Sequence, residues 1–348
     1  MILTTEQNPI KVNQTTPDHL LLAIDRGNSG TKVAVSVNGV PLEPFKIPSV
    51  IRRVEANGMI QIGKSAYVCG DDAISMTVGS VSTPLSQGDK VKDLSVAIAQ
   101  VIQKIAEGQI LSSDLSCSLI VSSPFASDTL SKQIQAEVKP LSDGFTVKGK
   151  SYRIAFDSIR TEFEGAVLLK SVSEFNGLID IGFGTILAAY RNRSGEVVNV
   201  PLMGGDQGGC NLVLKSLLND PAFLAKVKDS GASAPPSVER LSAKLSEGVT
   251  ELRKIDLKPL LKNHLKVLKT RIEDAALAVR TEIRFSSEDE QTSRIALVGG
   301  GAALMRLTLS DEQLSKWGEK HSIEVFDQPD FQTCLVMQQL IRINGGLN

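Results

Sequence analysis

The sequence is poor in the residues that build disulfide frameworks and metal sites. Its 348 residues include four cysteines, none in CxxC spacing, and three histidines without partner spacing. The cysteines are Cys69, Cys117, Cys210 and Cys334, and all but Cys69 lie in or beside apolar runs. This pattern predicts buried free thiols in a reducing compartment and argues against disulfides and against a zinc site.

An excess of one charge and a long hydrophobic run are also missing. Lys and Arg number 38 against 39 Asp and Glu, which argues against an electrostatic grip on nucleic acid over the whole surface and leaves only a local basic patch open. No run approaches the ~18 apolar residues that span a bilayer, and the N-terminus is not a basic-then-apolar leader. We therefore expect a cytoplasmic protein without membrane contact, with 1–19 as a flexible lead-in.

One pattern occurs twice in the chain: an apolar strand, an Asp, a Gly-rich turn, a Thr and a second apolar strand. The first copy is 20–32 and carries Asp25, and the second is 177–185 and carries Asp180. Glycine lets a backbone come close to a phosphate group, so each copy is a candidate nucleotide-phosphate loop. A lone Asp beside glycines is equally typical of a β-turn, and the duplication favours the phosphate loop.

Length and element order divide the chain into two domains. A chain of 348 residues suits two domains of roughly 150 residues each, and each half begins with strand, Asp, Gly loop and strand. The sequence predicts an α/β protein whose domain I covers 20–175, with an insert at about 50–90, and is completed by a C-terminal helix at 331–348. Domain II is predicted at 176–330, and its insert at about 215–290 contains a linker-like stretch at 226–238 and a mostly helical stretch at 252–283.

Two further glycine clusters follow the second copy. The run Val298-Gly299-Gly300-Gly301-Ala302 leads again from a strand through glycines into a helix, and bare backbone there would let a nucleotide base lie close. The run Gly204-Gly205-Asp206 opens another helix. Taken alone, the second cluster is an ordinary Gly-rich helix entry.

Together these motifs resemble those of the actin, heat-shock chaperone and sugar-kinase superfamily, in which two ribonuclease H-like (actin-fold) domains hold one adenine nucleotide in the cleft between them. Within it the chain is most similar to bacterial plasmid-segregation actin-like ATPases of the ParM/StbA type. Residues 25–32, with Phe45-Lys46-Ile47-Pro48-Ser49 downstream, match the first phosphate loop, 180–185 match the second, and 298–302 match the adenosine loop. Gly204-Gly205-Asp206 resembles the loop by which chaperone-type members approach the phosphates.

The resemblance implies contacts to a nucleotide and a metal ion. Asp25 and Asp180 face each other across the cleft in this superfamily, where they act in catalysis, and two carboxylates suit a hydrated Mg²⁺ that takes few direct protein ligands. Contacts to ATP or ADP are expected from the glycine loops and their polar side chains, namely Gly27, Asn28, Ser29, Gly30, Thr31, Lys32, Gly182, Phe183, Gly184, Thr185, Gly204, Gly205, Gly299, Gly300, Gly301 and Ala302.

Three charged residues near these loops have more than one interpretation. Glu162 stands before a helix, with Ala166 four residues on, where the family has the Glu that positions the attacking water. We expect Glu162 to have this catalytic role, with Glu164 as the alternative and helix capping as the structural explanation. Lys32 can neutralise phosphate charge, although a lysine in an alternating strand usually faces solvent. The sequence assigns no role to Arg26.

The expected function is that of an Mg-ATP-dependent, filament-forming ATPase in plasmid DNA segregation. Monomers of the resembled family polymerise head to tail and meet the plasmid through a DNA-binding adaptor protein, so we expect self-association, an adaptor and no direct nucleic-acid contact. Two alternatives stay open: a non-polymerising nucleotide-binding scaffold of the pilus-assembly or cell-division type, and a small-molecule kinase of the same superfamily. The sequence does not decide between ATP and GTP.

Overall fold

The fold is taken from a computed structural model, which describes residues 16–27, 30–55, 58–76, 81–82, 90–123, 128–164, 166–202, 208–286 and 293–344. The strands are β1 (Asp18–Arg26), β2 (Thr31–Val37), β3 (Val40–Pro41), β4 (Phe45–Ile47), β5 (Ile51–Val54), β6 (Ile60–Ile62), β7 (Ser65–Cys69), β8 (Val81–Ser82), β9 (Asp114–Ser123), β10 (Phe145–Val147), β11 (Lys150–Phe163), β12 (Gly177–Ile181), β13 (Ile186–Arg191), β14 (Val197–Asn199), β15 (Glu251–Leu252), β16 (Ile255–Asp256), β17 (Ile295–Val298) and β18 (Ile323–Val325).

Helices alternate with these strands. They are α1 (Gly70–Ser75), α2 (Leu94–Gly108), α3 (Asp128–Val138), α4 (Pro140–Asp143), α5 (Ala166–Ser171), α6 (Asn211–Leu218), α7 (Pro221–Asp229), α8 (Val238–Ser246), α9 (Lys258–Ser286), α10 (Gly300–Thr308), α11 (Asp311–His321) and α12 (Gln332–Asn344). Across the described ranges, no helix combines the length and the apolar character needed to cross a membrane. The four cysteines are free thiols, and all but Cys69 are buried, as predicted.

The first sheet is built around β1. Its apolar run 20–24 is buried throughout, as expected of a central strand with both faces covered. β1 pairs antiparallel with β2 and parallel with β9, and β9 pairs parallel with β11. The sheet order is β3-β2-β1-β9-β11-β10-β6-β7-β5-β8, with β4 against β2. The strands of the predicted insert at 50–90 thus extend this sheet through β6 and β10.

The second sheet repeats the arrangement around β12. Its order is β14-β13-β12-β17-β18, and β12 pairs antiparallel with β13 and parallel with β17, as β1 does with β2 and β9. Each central strand carries its Asp close to the turn of its hairpin, with Asp25 opposite Lys32 and Asp180 opposite Leu187. The repeated sequence pattern is therefore a repeated structure, and the predicted α/β fold class is confirmed.

A layer of apolar side chains lies between the two sheets. It contains Leu21 and Ala23 of β1, Leu178 of β12, Val298 of β17 and Met337 of α12, all buried. The helix α12 packs on β1, β2 and β9 and also on α5. One further core lies under α2 in the first sheet, and another surrounds α6, α9 and α10 on the second. The two sheets therefore share one layer of buried apolar side chains.

The predicted linker at 226–238 is wrong over its first four residues, which belong to α7, and at its last, Val238, which begins α8. The helix α7 begins at Pro221 because Asp220 caps it, its carboxylate accepting from the backbone N–H of Ala222 at 2.7 Å, and because proline is favoured in a first turn. The long helix starts later than predicted. A short hairpin of β15 and β16 occupies the chain before Lys258.

Candidate functional site

A cavity of about 630 Å³ opens between the hairpins of the two sheets. Asp25 and Lys32 line it from the first hairpin, and Asp180, Gly182 and Thr185 line it from the second. The two carboxylates of the repeated pattern thus share one cavity, as the resemblance implied. A cavity of this size is in the range that ligand sites occupy in proteins.

The first hairpin is closed by short polar contacts. The backbone N–H of Gly27 donates to the carbonyl of Gly30 at 3.1 Å, and the hydroxyl of Ser49 donates to the carbonyl of Gly27 at 2.7 Å. Gly27 and Gly30 line the cavity, whereas Thr31 is buried with its hydroxyl 3.5 Å from that of Ser49. The predicted residues Asn28 and Ser29 lie outside the described residues.

Asp25 is a buried carboxylate surrounded by donors. Its oxygens lie 2.9 Å from Nζ of Lys32 and 3.7 Å from Nζ of Lys90, and the hydroxyl of Ser122 donates to it at 2.5 Å. Burial raises the pKa of Asp25, but the two ammonium groups and the Ser122 hydrogen bond outweigh burial and hold that pKa well below its usual range. Asp25 is therefore ionised at neutral pH.

Asp180, its counterpart in the second hairpin, has a different environment. It is only 5% exposed, and in the described part of the chain no ion pair or hydrogen bond of its carboxylate is found. Burial raises its pKa to about 7, and the negative charges of Glu164 and Asp25 add to this rise while Lys32 opposes it. Gly182 closes the hairpin by donating its N–H to the carbonyl of Thr185 at 2.9 Å.

Lys32 faces the cavity rather than solvent. Its strand β2 is buried along nearly its whole length, so the usual solvent face of an alternating strand does not exist here. Burial lowers the pKa of Lys32, but Asp25 and Asp180 outweigh burial and raise it above its ordinary value. The ammonium is thus a fixed positive charge between the two carboxylates.

Glu164, not Glu162, is the glutamate that lines the cavity. Its carboxylate makes a close ion pair with Lys90, and its backbone N–H donates to the carbonyl of Ser123 at 2.8 Å, just past the end of β11. Glu162 pairs instead with Lys170 of α5 at 3.2 Å. The geometry therefore disagrees with the predicted preference for Glu162.

Two lysines that the sequence did not single out complete the charged end of the cavity. Lys90 lies between Asp25 and Glu164. Lys46 of β4 is paired in register with Lys32, and its Nζ donates to the hydroxyl of Ser246 at the end of α8 at 2.7 Å, which joins the two sides of the cavity. Burial, with help from Lys32, lowers the pKa of Lys46 to about 8.

Apolar side chains also line the cavity. They are Leu245 from α8, Leu304 and Leu307 from α10, and Phe331, and the charged residues Arg306, Asp327 and Asp330 line it beside them. Of the four residues predicted to contact adenosine, Gly300 lines the cavity. Gly299 and Gly301 pack against the second hairpin instead, because a Cβ on Gly299 would lie 2.3 Å from Oδ1 of Asp180 and one on Gly301 would lie 2.3 Å from the Ile181 side chain. Ala302 is buried in the core.

Backbone hydrogen bonds join the segment 208–211 to the turn of the second hairpin. The N–H of Gly208 donates to the carbonyl of Gly184 at 2.9 Å, and the N–H of Cys210 donates to that of Gly182 at 3.1 Å. A Cβ on Gly209 would lie 2.2 Å from the Gly182 carbonyl oxygen, so this position needs glycine. Phe183 lines the cavity and Gly184 does not. The predicted residues Gly204 and Gly205 lie outside the described residues.

The fold is similar to solved structures of actin-like proteins. An archaeal actin homologue gives a TM-score of 0.64 at 16% sequence identity, over 93% of this chain and 99% of that one. ParM of Bacillus thuringiensis with ADP gives 0.62 at 15% identity, over 94% and 99%. The actin-like protein Alp7A gives 0.59 at 12% identity, over 95% and 99%. No protein-family model and no curated protein sequence matches the chain.

These similarities cover nearly the whole chain and nearly the whole of each compared chain. The predicted actin fold is therefore confirmed, as is the resemblance to ParM-type proteins at the level of fold. At sequence identities of 12–16%, these similarities establish the fold and not the function. The chemistry has to be argued from the cavity itself.

Proposed function

We propose that this protein is an actin-like ATPase that binds Mg-ATP in the cavity between its two sheets and forms filaments. The observation that carries the proposal is the convergence of Asp25 and Asp180, from equivalent hairpins, on one cavity. ParM of Bacillus thuringiensis, which has the same fold, is known in structures with ADP, with AMPPNP and with ATP. The cavity volume and its lining of charged, glycine and apolar residues suit a nucleotide.

The charged end fits a triphosphate. Lys32, Lys46 and Lys90 bring three ammonium groups to it, and glycines of both hairpins line it, where the backbone can come close to a phosphate group. Phosphate oxygens accept charge-assisted hydrogen bonds from ammonium groups. We assign the three lysines to phosphate binding, with Lys46 also joining the two sides of the cavity.

The carboxylates of the same end fit a magnesium ion. In the described ranges no group of three or more His, Cys, Asp or Glu residues could hold a metal ion directly, so the donor set is that of an ion held mainly by water and phosphate. Asp25 and Asp180 would hold its water ligands. When bound, Mg²⁺ would neutralise charge that develops on the phosphates during transfer.

Glu164 is the residue we assign to the attacking water. Its carboxylate accepts a proton from the water as the water oxygen bonds to the γ-phosphorus, and the bond from that phosphorus to the bridging oxygen breaks to leave ADP and phosphate. Lys90 and the hydrogen bond to Ser123 hold Glu164 at the cavity wall. Glu162, tied to Lys170 outside the cavity lining, does not take part.

The apolar side chains of the cavity wall suit a purine. Leu245, Leu304 and Leu307 line the same cavity as Gly300, where the backbone carries no side chain. Burial of the base against these side chains adds hydrophobic stabilisation to the phosphate contacts.

Filament formation and plasmid segregation follow from the likeness to ParM, and are part of the proposal. Head-to-tail contacts between copies give an open filament because the interface does not close on itself. A net charge of −1 fits DNA contact through an adaptor protein rather than directly. Light scattering of the purified protein should rise when Mg-ATP is added and decay as ATP is consumed. A flat trace with intact ATP binding would favour the non-polymerising scaffold.

The catalytic assignment is tested by a pair of variants. Glu164→Gln should slow ATP hydrolysis by ~10²–10⁴-fold, the usual scale for a positioned acid–base group, with ATP binding retained. Glu162→Gln is the matched control, and its rate should stay within about threefold of the wild type because its carboxylate lies outside the cavity lining. The reverse result would return the catalytic role to Glu162, and loss of ATP binding in the wild type would refute the function.

A further inference from the structure

Arg26 is a buried arginine directly beside the first cavity carboxylate. It is 1% exposed, and because neighbouring side chains of a strand point to opposite faces, it points away from the cavity that Asp25 lines. Its guanidinium Nη1 donates to the carbonyl of Lys90 at 3.1 Å and makes a close contact with the carbonyl of Lys92. One side chain of β1 thus holds two backbone carbonyls from a segment more than sixty residues away.

The segment that Arg26 holds is the one that carries Lys90 into the cavity. It leads into α2 through Asp93, whose φ of 59° is in the left-handed region that non-glycine residues rarely occupy. This conformation is unfavourable for a non-glycine residue, so contacts from the surrounding structure must hold it. Lys90 then spans from this backbone to Asp25 and Glu164.

We propose that Arg26 is a positioning residue: by fixing the backbone of 90–92 it places the Lys90 ammonium between Asp25 and Glu164, and through Lys90 it orients the Glu164 carboxylate. This inference rests on the proposed function. An arginine suits the task because its rigid fork offers several N–H donors in one plane, whereas a lysine is a single flexible point charge. Arg26, to which the sequence assigned no role, therefore connects the first hairpin to Glu164.

The first test uses turnover. Arg26→Met should lower kcat by about 10- to 100-fold, the scale of a misplaced catalytic group, and should weaken ADP binding no more than Lys90→Met does, because Lys90 is also assigned to phosphate binding. Arg26→Lys should recover part of the loss. The double variant of Arg26→Met with Lys90→Met should be no slower than Lys90→Met alone, because both changes remove the same contact. Arg52→Met is the control, since Arg52 is also buried and donates to a backbone carbonyl, that of Ala73, at 3.1 Å.

The second test needs no nucleotide. Limited acetylation followed by mass spectrometry measures how exposed each lysine is, and Lys90 should react ~5-fold faster or more in Arg26→Met and in Arg26→Lys, because its backbone is released. Lys32, which is held by Asp25, should keep its rate in the same sample.

Wild-type rates of turnover and of Lys90 acetylation in both Arg26 variants would overturn the inference and leave the proposed function standing. Additive losses in the double variant, or equal losses in Arg52→Met, would mean that Arg26 only stabilises the fold, and would also overturn it. A wild-type protein that neither binds nor hydrolyses ATP would refute the proposed function and this inference together.

Discussion

The two hairpins share one sequence pattern and one strand arrangement, yet their carboxylates have opposite electrostatics. Asp25 is surrounded by Lys32, Lys90 and Ser122, which hold its pKa well below the usual range. Asp180 is buried without such partners among the described residues, and burial raises its pKa to about 7. The two hairpins thus share a backbone arrangement but differ in the charged groups that surround their carboxylates. Lys32 belongs to the first copy, where the second hairpin has Leu187. Ser122 and Lys90 come from outside the repeat, from β9 and the segment before α2.

This difference separates two tasks. Asp25 is a permanent anion that belongs to the folded structure, because three groups depend on it for a partner. Asp180 is a carboxylate that the fold leaves ready to gain a cation, since an ion placed near it would lower its raised pKa. We expect the first hairpin to contribute more to stability and the second to contribute more to the response to ligand.

The largest expected effect contrasts the two carboxylates directly. Asp25→Asn leaves the buried Lys32 without its ion-pair partner, which should lower the free energy of unfolding by about 3 kcal/mol or more. Burial raises the pKa of Asp180 to about 7, so its ionised form disfavours the folded state at pH 7.5. Asp180→Asn should therefore raise the free energy of unfolding rather than lower it. Urea unfolding of both variants at pH 7.5 measures this, and equal losses would show that the hairpins are equivalent.

A second contrast concerns glycines of the two halves. Gly299 has a φ of 87°, and a Cβ there would meet Oδ1 of Asp180 at 2.3 Å and the Ile181 carbonyl oxygen at 2.5 Å. Gly299→Ala should therefore cost about 2–3 kcal/mol of unfolding free energy. At Gly30 a Cβ would meet only the Lys46 side chain, which can move, so Gly30→Ala should cost less than about 1 kcal/mol. Thermal unfolding compares the two, and a larger loss at Gly30 would contradict the prediction.

The two carboxylates should affect the free energy of unfolding in different pH ranges. With a folded-state pKa of about 7, Asp180 keeps its proton between pH 4 and 7 while the unfolded chain loses it. The folded state then binds more protons, so the free energy of unfolding falls as pH rises, by up to about 1.4 kcal/mol per pH unit. Asp25, with its lowered pKa, contributes stability that is lost only as pH falls below about 4. In metal-free buffer Asp180→Asn should remove the slope between pH 4 and 7, and an unchanged slope would refute the assignment.

The smallest expected effect belongs to Lys46, which joins the two sides of the cavity. Its pKa of about 8 means that the free protein loses this positive charge as pH rises above 8, so ATP affinity should fall there. Lys46→Gln should bind ATP about three- to tenfold more weakly at pH 7, roughly 1 kcal/mol, and should lack the decline. Isothermal titration from pH 7 to 9.5 tests this, with Lys170→Gln as a control outside the cavity lining. A parallel decline in both variants would exclude Lys46 as the cause.

Sequence reasoning located the repeated hairpins because their signal is local. A short continuous apolar run such as 20–24, bounded by turn residues, favours a buried central strand, and the Asp and glycines that follow it indicate the turn. The duplicated pattern therefore predicted the two equivalent hairpins, and the family resemblance implied the cavity between them. The limits of α7 were missed because Pro221 and the cap at Asp220 were weighed less than the Pro and Gly content that follows.

The charged surroundings of the hairpins were beyond the sequence because they depend on contacts between distant segments. Lys90 reaches Asp25 across 65 positions of the chain, and Lys46 meets Ser246 across 200. Glu164 lies in a turn just past β11, where the two-residue alternation of strands no longer determines direction, so spacing could not separate it from Glu162. For Lys32 the sequence left two interpretations open, a phosphate contact and a solvent face, and a strand buried along nearly its whole length offers no solvent face.

The position of α12 has a consequence for how the chain folds. This helix covers β1, β2 and β9, although some 300 residues separate it from β1 in sequence, and the thiol of Cys334 donates to the carbonyl of Lys32 at 3.3 Å. Contacts between such distant segments form late, because a long loop must close before they stabilise anything. The first sheet therefore cannot acquire its complete apolar cover until the strands of the second sheet have been synthesised. The N-terminal half is synthesised first, but its core is completed only when α12 packs on it.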